Sequence, residues 1–341
     1  MMPVSTTANS GNEIRRHLIR IDAGIAFPDE PDLKVAVELI WHDLAFDRER
    51  PLAFVCLPGG NINRGYFDLG SESSPSFSFA RQMAKRGALV IAVDHLGVGA
   101  SSRPKDGFLL TPDVIVAANA HAIGHAVAML KSGAINSELP ALPTLATIGV
   151  GHSMGAMLTA MQQASAPMHR AIVLLGFSAA GLPEYLPKSA HDLIGAPSEI
   201  PERIVELARE MFETPYVQIR SSGGGASMFY SSKADAEGIE LLREARDTLL
   251  ATPGLQCLIP GSIGPQLQTI DVPVFLGLGD HDMAGPPHAV PPSLPASRDV
   301  TLIVLPETGH CHFIFPSRAV LFQRLADWVA TVRREFSTTG T

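Results

Sequence analysis

Gly151-His152-Ser153-Met154-Gly155 holds the side chain in this sequence best suited to attack a carbonyl carbon. A serine hydroxyl is a weak nucleophile until a neighbouring base takes its proton. The five residues lie where the hydrophobic period changes. Ala146 to Val150 is short, apolar and β-branched, as a buried strand is. From Ala156 to Ala164 good helix formers follow, with no Gly or Pro until Pro167. Gly-x-Ser-x-Gly at such a corner holds the serine clear, because a β-carbon at either glycine would strike the neighbouring strand or helix. The first turn of the helix also offers unpaired N–H groups to negative charge forming nearby. The bare pattern arises easily in a chain with 30 glycines. The strand before it and the helix after it lift it above a plain turn, and no other stretch fits.

The same chemistry needs a histidine to accept the proton and a carboxylate to fix that histidine's tautomer. His310 follows a predicted strand and Gly309, which places it at a strand end. His312 is its rival, with Cys311 a bystander between them. A developing oxyanion needs two N–H donors about 3 Å away, and backbone donors serve without reorganisation. Met154 supplies the first. Gly60 or Asn61, after Pro58-Gly59, supplies the second, although a Gly pair is also an ordinary turn former. His121 and His125 lie four apart on one helix face, but without the glutamate or third ligand of a metal site they read as incidental. Asp94-His95 reads as a packed loop, and Gly97-x-Gly99 lacks the third glycine of a nucleotide-binding turn.

Strands and helices must bring these residues together. Arg16 to Asp22 and Leu33 to His42 alternate apolar and polar residues and predict an edge pair. Leu52 to Leu57 is continuously apolar, the mark of a strand covered on both faces. Further strands are predicted at Ala88–Val93, Ala171–Leu175, Val272–Leu278 and Val300–Leu305. Helices are predicted at Phe77–Arg86, from Thr111-Pro112 to Lys131, and at Ser317–Phe336. The alternation implies a mostly parallel sheet with helices on both faces. Between Ser178 and Asp271 the rhythm breaks, with helical stretches at Glu202–Glu213 and Ala234–Leu250 and a Gly-rich joint at Ser221–Gly225. This is read as a helical insertion above the sheet edge where open α/β folds bind ligands. The expected division is a core of residues 12–178 and 272–338, a cap or lid of 179–271, and a disordered tail of 1–11. Gly59, His152, Met211, Phe212, Tyr216, Met228 and Phe229 are candidates for the pocket lining.

Composition narrows the partners. The chain has a net charge of −8, 46% hydrophobic and 18% charged residues, and no Lys/Arg run longer than two. That speaks against nucleic acid or an anionic membrane surface. The longest apolar runs are strand-sized, so no membrane span is expected, and no signal peptide is visible. Three scattered cysteines fit reduced thiols in a cytoplasmic protein. No cofactor and no metal are expected; a homodimer stays open.

Together these residues resemble the α/β-hydrolase superfamily, from about Ile14 to Phe336. The resemblance rests on Gly151–Gly155, Pro58-Gly59-Gly60, Asp94-x-x-Gly97-x-Gly99-x-Ser101, Gly279-Asp280-His281-Asp282 and Gly309-His310. It implies a doubly wound, mostly parallel eight-stranded sheet with a cap insertion, and a triad in the order nucleophile, acid, histidine. Ser153, Asp282 and His310 keep that order. Asp280 is an alternative acid, as is Glu184 if the chain follows relatives that place the acid there. Two features depart from the pattern: Pro58 stands where His-Gly is common, and prolines replace the helix expected after Asp282. The implied activity is a cofactor-free serine hydrolase, a carboxylesterase acting on small to medium hydrophobic esters. Lactone, thioester or carbon–carbon bond cleavage by the same triad is the alternative, as is a non-catalytic ligand-binding protein on this fold.

Overall fold

A computed structural model describes residues 14–43, 47, 49–70, 73–218 and 233–336. Its centre is one eight-stranded sheet. The strands are β1 (Ile14–Asp22), β2 (Lys34–His42), β3 (Leu52–Leu57), β4 (Leu89–Asp94), β5 (Ala146–His152) and β6 (Ala171–Leu175). After a short separate pair, β7 (Tyr216–Val217) and β8 (Leu249–Leu250), come β9 (Val274–Gly279) and β10 (Val300–Leu305). Their order is β1-β2-β4-β3-β5-β6-β9-β10, and only β2 runs against its neighbours.

The central parallel strands β3, β6 and β9 are apolar throughout because both faces are covered, whereas β10 at the edge is half-buried. Successive residues of β3 feed opposite sides: Ala53, Val55 and Leu57 enter one core, Leu52, Phe54 and Cys56 the other. The first core packs under α2 (Pro112–Ser132) and α3 (Met154–Ser165), the second under α1 (Phe79–Ala84) and α8 (Arg318–Phe336). Between β6 and β9 lie α4 (Ile200–Met211), α5 (Ala236–Glu244), α6 (Ala251–Leu258) and α7 (Gly264–Leu267). A third apolar cluster joins α4 and α6 through Ile200, Ile204, Leu207, Ala251 and Leu255.

Thr111 caps α2 as expected, its hydroxyl accepting from Val114 N–H with Pro112 in the first turn. Several expectations change. The helix at Phe77–Arg86 divides, because Ser78 takes an extended backbone and caps α1 by accepting from Arg81 N–H. The stretch Ala234–Leu250 is not one helix: α5 stops at Glu244, and Leu249–Leu250 pair with Tyr216–Val217. Helices α6 and α7 had no distinct sequence signal. After Asp282 the chain makes single turns at Pro287–Ala289 and Pro291–Ser293, as its prolines require. By length and composition α2 could cross a bilayer, with a mean hydropathy of 1.4. Alanines between Ile115, Ile123 and Leu130 raise that value, and these side chains pack into the core. The proposed tail, the Gly-rich joint, Met228 and Phe229 lie outside the described residues.

Candidate active site

Ser153 follows β5 directly, with φ 55° and ψ −121°, a left-handed backbone that costs a non-glycine residue about 1–3 kcal/mol. The surroundings enforce it. A β-carbon on Gly151 would stand 2.3 Å from the Gly155 carbonyl oxygen, and one on Gly155 would stand 2.1 Å from that of Leu57. The strand and helix therefore meet backbone to backbone. Ser153 N–H donates to the Leu175 carbonyl at 2.8 Å, tying the turn to the end of β6.

Two and three strands away, the ends of β9 and β10 supply the other groups. His310 Nδ1 lies 2.6 Å from Asp282 Oδ1, both side chains nearly sealed from solvent (4% and 0% exposed). The carboxylate can only accept, so His310 carries its proton on Nδ1 and presents Nε2 as the basic nitrogen. Burial opposes the Asp282 charge, but the His310 and His312 imidazoles outweigh it and hold the carboxyl far below the usual carboxylate range. The His310 ring lies against the turn after β6: a β-carbon on Gly176 would stand 3.0 Å from His310 Cε1. Ser153 and His310 line one cavity of about 70 Å³, together with Met154, Met157, Phe177 and Met283.

His312 does not compete as the base. Its Nε2 lies 3.0 Å from Asp282 Oδ2, at zero exposure, so both carboxylate oxygens are held by imidazoles. Replacing His312 with Leu leaves one of those oxygens without its donor. The expected result is a loss of about 1–3 kcal/mol in urea unfolding, and a loss under about 0.5 kcal/mol would show the bond to be dispensable. His152 sits between these groups, its Nε2–H donating to the His310 carbonyl at 2.9 Å. Burial, and then the neighbouring His310 and His312 imidazoles, hold its pKa far down, so it stays neutral.

The other candidates separate clearly. Asp280 accepts the Glu307 and Thr308 N–H groups at 3.0 Å each and braces the loop that leads to His310. Glu184 is exposed, on a single turn at Pro183–Tyr185. Asn61 N–H donates to the Thr248 carbonyl at 3.2 Å, which leaves Gly60 as the free backbone donor beside Met154. Gly59 packs directly on the nucleophile turn: a β-carbon there would stand 3.0 Å from Ser153 Cβ. Met211 and Phe212 do not line the cavity; they pack on the apolar cluster of α4 and α6. Tyr216 also lies elsewhere, its hydroxyl donating to the Pro104 carbonyl at 2.5 Å, because it is committed to the β7–β8 pair. His121 and His125 lie side by side, ring centres 4.5 Å apart and planes tilted by 33°, and no third potential ligand joins them among the described residues.

Sequence reasoning missed one support. His95 Nε2–H donates to the Pro58 carbonyl at 3.0 Å, while Asn119 donates to its Nδ1 at 2.9 Å. The Pro58-Gly59-Gly60 loop is thus held from the end of β4, a contact that spacing along the chain could not reveal.

The model of the alpha/beta hydrolase family matches residues 54–321. The chain belongs to that family. Among solved structures, a thermophilic esterase from Thermogutta terrifontis aligns with a TM-score of 0.57 at 17% identity, covering 93% of this hydrolase and 99% of that chain. An esterase from Exiguobacterium antarcticum gives 0.57 at 15% identity, with coverage of 88% and 96%. A 2-hydroxy-6-oxo-6-phenylhexa-2,4-dienoate hydrolase from Rhodococcus sp. strain RHA1 gives 0.53 at 15%, with coverage of 94% and 100%. At these identities the likeness is one of fold. No curated protein matches the sequence.

Proposed function

We propose that this alpha/beta hydrolase cleaves short-chain carboxylic esters through an acyl-enzyme on Ser153. The observation that supports this most is the sealed His310–Asp282 pair opening on the cavity that Ser153 lines. Ser153 Oγ attacks the ester carbonyl carbon as His310 Nε2 takes its proton. The Met154 and Gly60 N–H groups bind the oxyanion. His310 returns the proton to the departing alcohol, and the acyl group stays on Ser153. A water molecule, deprotonated by the same nitrogen, then releases the acid. Asp282 keeps the imidazole in its Nδ1–H form and stabilises its charged state.

The apolar cavity supports a short acyl group. At about 70 Å³ it is well below the roughly 150 Å³ of a cavity that takes benzene. The test is hydrolysis of p-nitrophenyl acetate, butyrate and octanoate, with mass mapping of a fluorophosphonate adduct. The expected result is labelling at Ser153 and a kcat/KM at least about tenfold higher for acetate or butyrate than for octanoate. Labelling at another residue rejects the nucleophile; a preference for octanoate rejects the short acyl group.

A further inference from the structure

His310 borders a second, smaller space, of about 20 Å³, on the side away from Met157 and Phe177. Gly60, Asn61, His152, Cys311 and Arg246 face it, and no carboxylate does. Arg246 is exceptional among the described arginines. Arg15, Arg64, Arg81, Arg203, Arg318 and Arg333, all buried or half-buried, each face a carboxylate. Arg246 is half-buried and faces none among the described residues. Its neighbour Asp247 is turned elsewhere, accepting from Gly99 N–H at 2.9 Å and Thr248 N–H at 2.8 Å. A half-buried guanidinium beside a reacting centre, with no counter-charge among the described residues, points to an anion that arrives with the ligand.

The surroundings are built for that role. Asn61 is only 9% exposed and lines the same space, and its side-chain amide has no hydrogen-bond partner among the described residues. The two residues are stapled together through the backbone: Asn61 N–H to Thr248 O at 3.2 Å, Asp247 N–H to Asn61 O at 3.0 Å, and Asn63 N–H to Ala245 O at 2.9 Å. His152 stays neutral, and burial pushes the Cys311 thiol up to about 12, so neither offers a competing negative charge. A fork of N–H donors beside an amide suits a carboxylate.

We propose that Arg246 and the Asn61 amide bind a carboxylate carried by the substrate, so that the preferred substrates are anionic short-chain esters. This rests on the ester-hydrolase reading above. The carboxylate can sit on the acyl side, as in a half-ester of a dicarboxylic acid, or on the alcohol side, as in an acylated hydroxy acid.

Two matched pairs separate these sources in a pH-stat assay of the full chain: methyl hydrogen succinate against methyl succinamate, and 3-acetoxypropanoate against its amide. In one pair the carboxylate member should have a kcat/KM about 10- to 100-fold higher, the size expected for a hydrogen bond to a charged group. In Arg246→Met that ratio should collapse to near one, and Arg246→Lys should restore part of it. Fluorophosphonate labelling of Ser153 and circular dichroism check that both variants fold. Ratios near one in the wild type, or a ratio that survives in Arg246→Met, overturn the proposal. Succinate binding to Ser153→Ala, measured by calorimetry with and without Arg246→Met, reads the site without turnover. Binding that needs Arg246 while no ester is cleaved sinks the hydrolytic reading and upholds the anion site. Binding indifferent to Arg246 sinks the anion site alone.

Discussion

Replacing Ser153 with Ala should lower kcat for p-nitrophenyl acetate by about 10⁴- to 10⁶-fold. The size follows from what is removed. Without the hydroxyl no acyl-enzyme forms, and His310 and Asp282 have no nucleophile to activate. What remains is binding and the oxyanion donors, worth a residual advantage of about 10³–10⁴ over water. Alanine keeps the β-carbon, so the left-handed backbone at φ 55° is as strained as before and the thermal midpoint should stay within a few degrees. Single-turnover kinetics on the purified variant give the number. Activity above about 1% of wild type would mean that another group is the nucleophile.

Asp282→Asn should be the next most damaging change, about 10⁴-fold in kcat with KM altered by no more than about threefold. The carboxylate accepts from two imidazoles, His310 at 2.6 Å and His312 at 3.0 Å. An amide offers one oxygen and one NH₂ group. If the NH₂ faces His310, it drives that ring into the tautomer with its proton on Nε2, where it cannot serve as base. If it faces His312, that ring must either meet it donor to donor or move its proton to Nδ1, where no partner among the described residues receives it. Either orientation spoils one partner. Steady-state kinetics with p-nitrophenyl butyrate decide the matter, and a loss under tenfold would remove Asp282 from the acid's role.

What could be read from the sequence depended on how far apart the deciding contacts lie. The turn at Ser153 was legible because its strand, glycines and helix are contiguous, and the sheet because its central parallel strands are buried on both faces. The choice between Asp280 and Asp282 was not, since two residues apart on one loop differ only in the direction of the side chain. Asp280 turns to Glu307 and Thr308, Asp282 to the imidazoles. Gly60 and Asn61 were equally undecidable, because Thr248, nearly two hundred positions along, is what takes the Asn61 N–H. Leu249 and Leu250 read as helix by composition and became strand because Tyr216 and Val217 pair with them. The same pairing carried Tyr216 away from the cavity, and the apolar cluster of α4 and α6 did so for Met211 and Phe212.

The adjacency of β5, β6, β9 and β10 has a bearing on how such a chain can change over generations. Ser153, Asp282 and His310 hang from neighbouring rungs of one rigid ladder, so their spacing is fixed by sheet hydrogen bonds that the long excursion between β6 and β9 does not touch. That excursion also carries Arg246. Insertions or exchanges there that spare Asp235, which bonds Ile314, and Ala245 to Thr248, which hold the Asn61 loop, can redirect which molecules are admitted while the triad keeps its place, a separation of selectivity from reactivity that lets one inherited scaffold diversify.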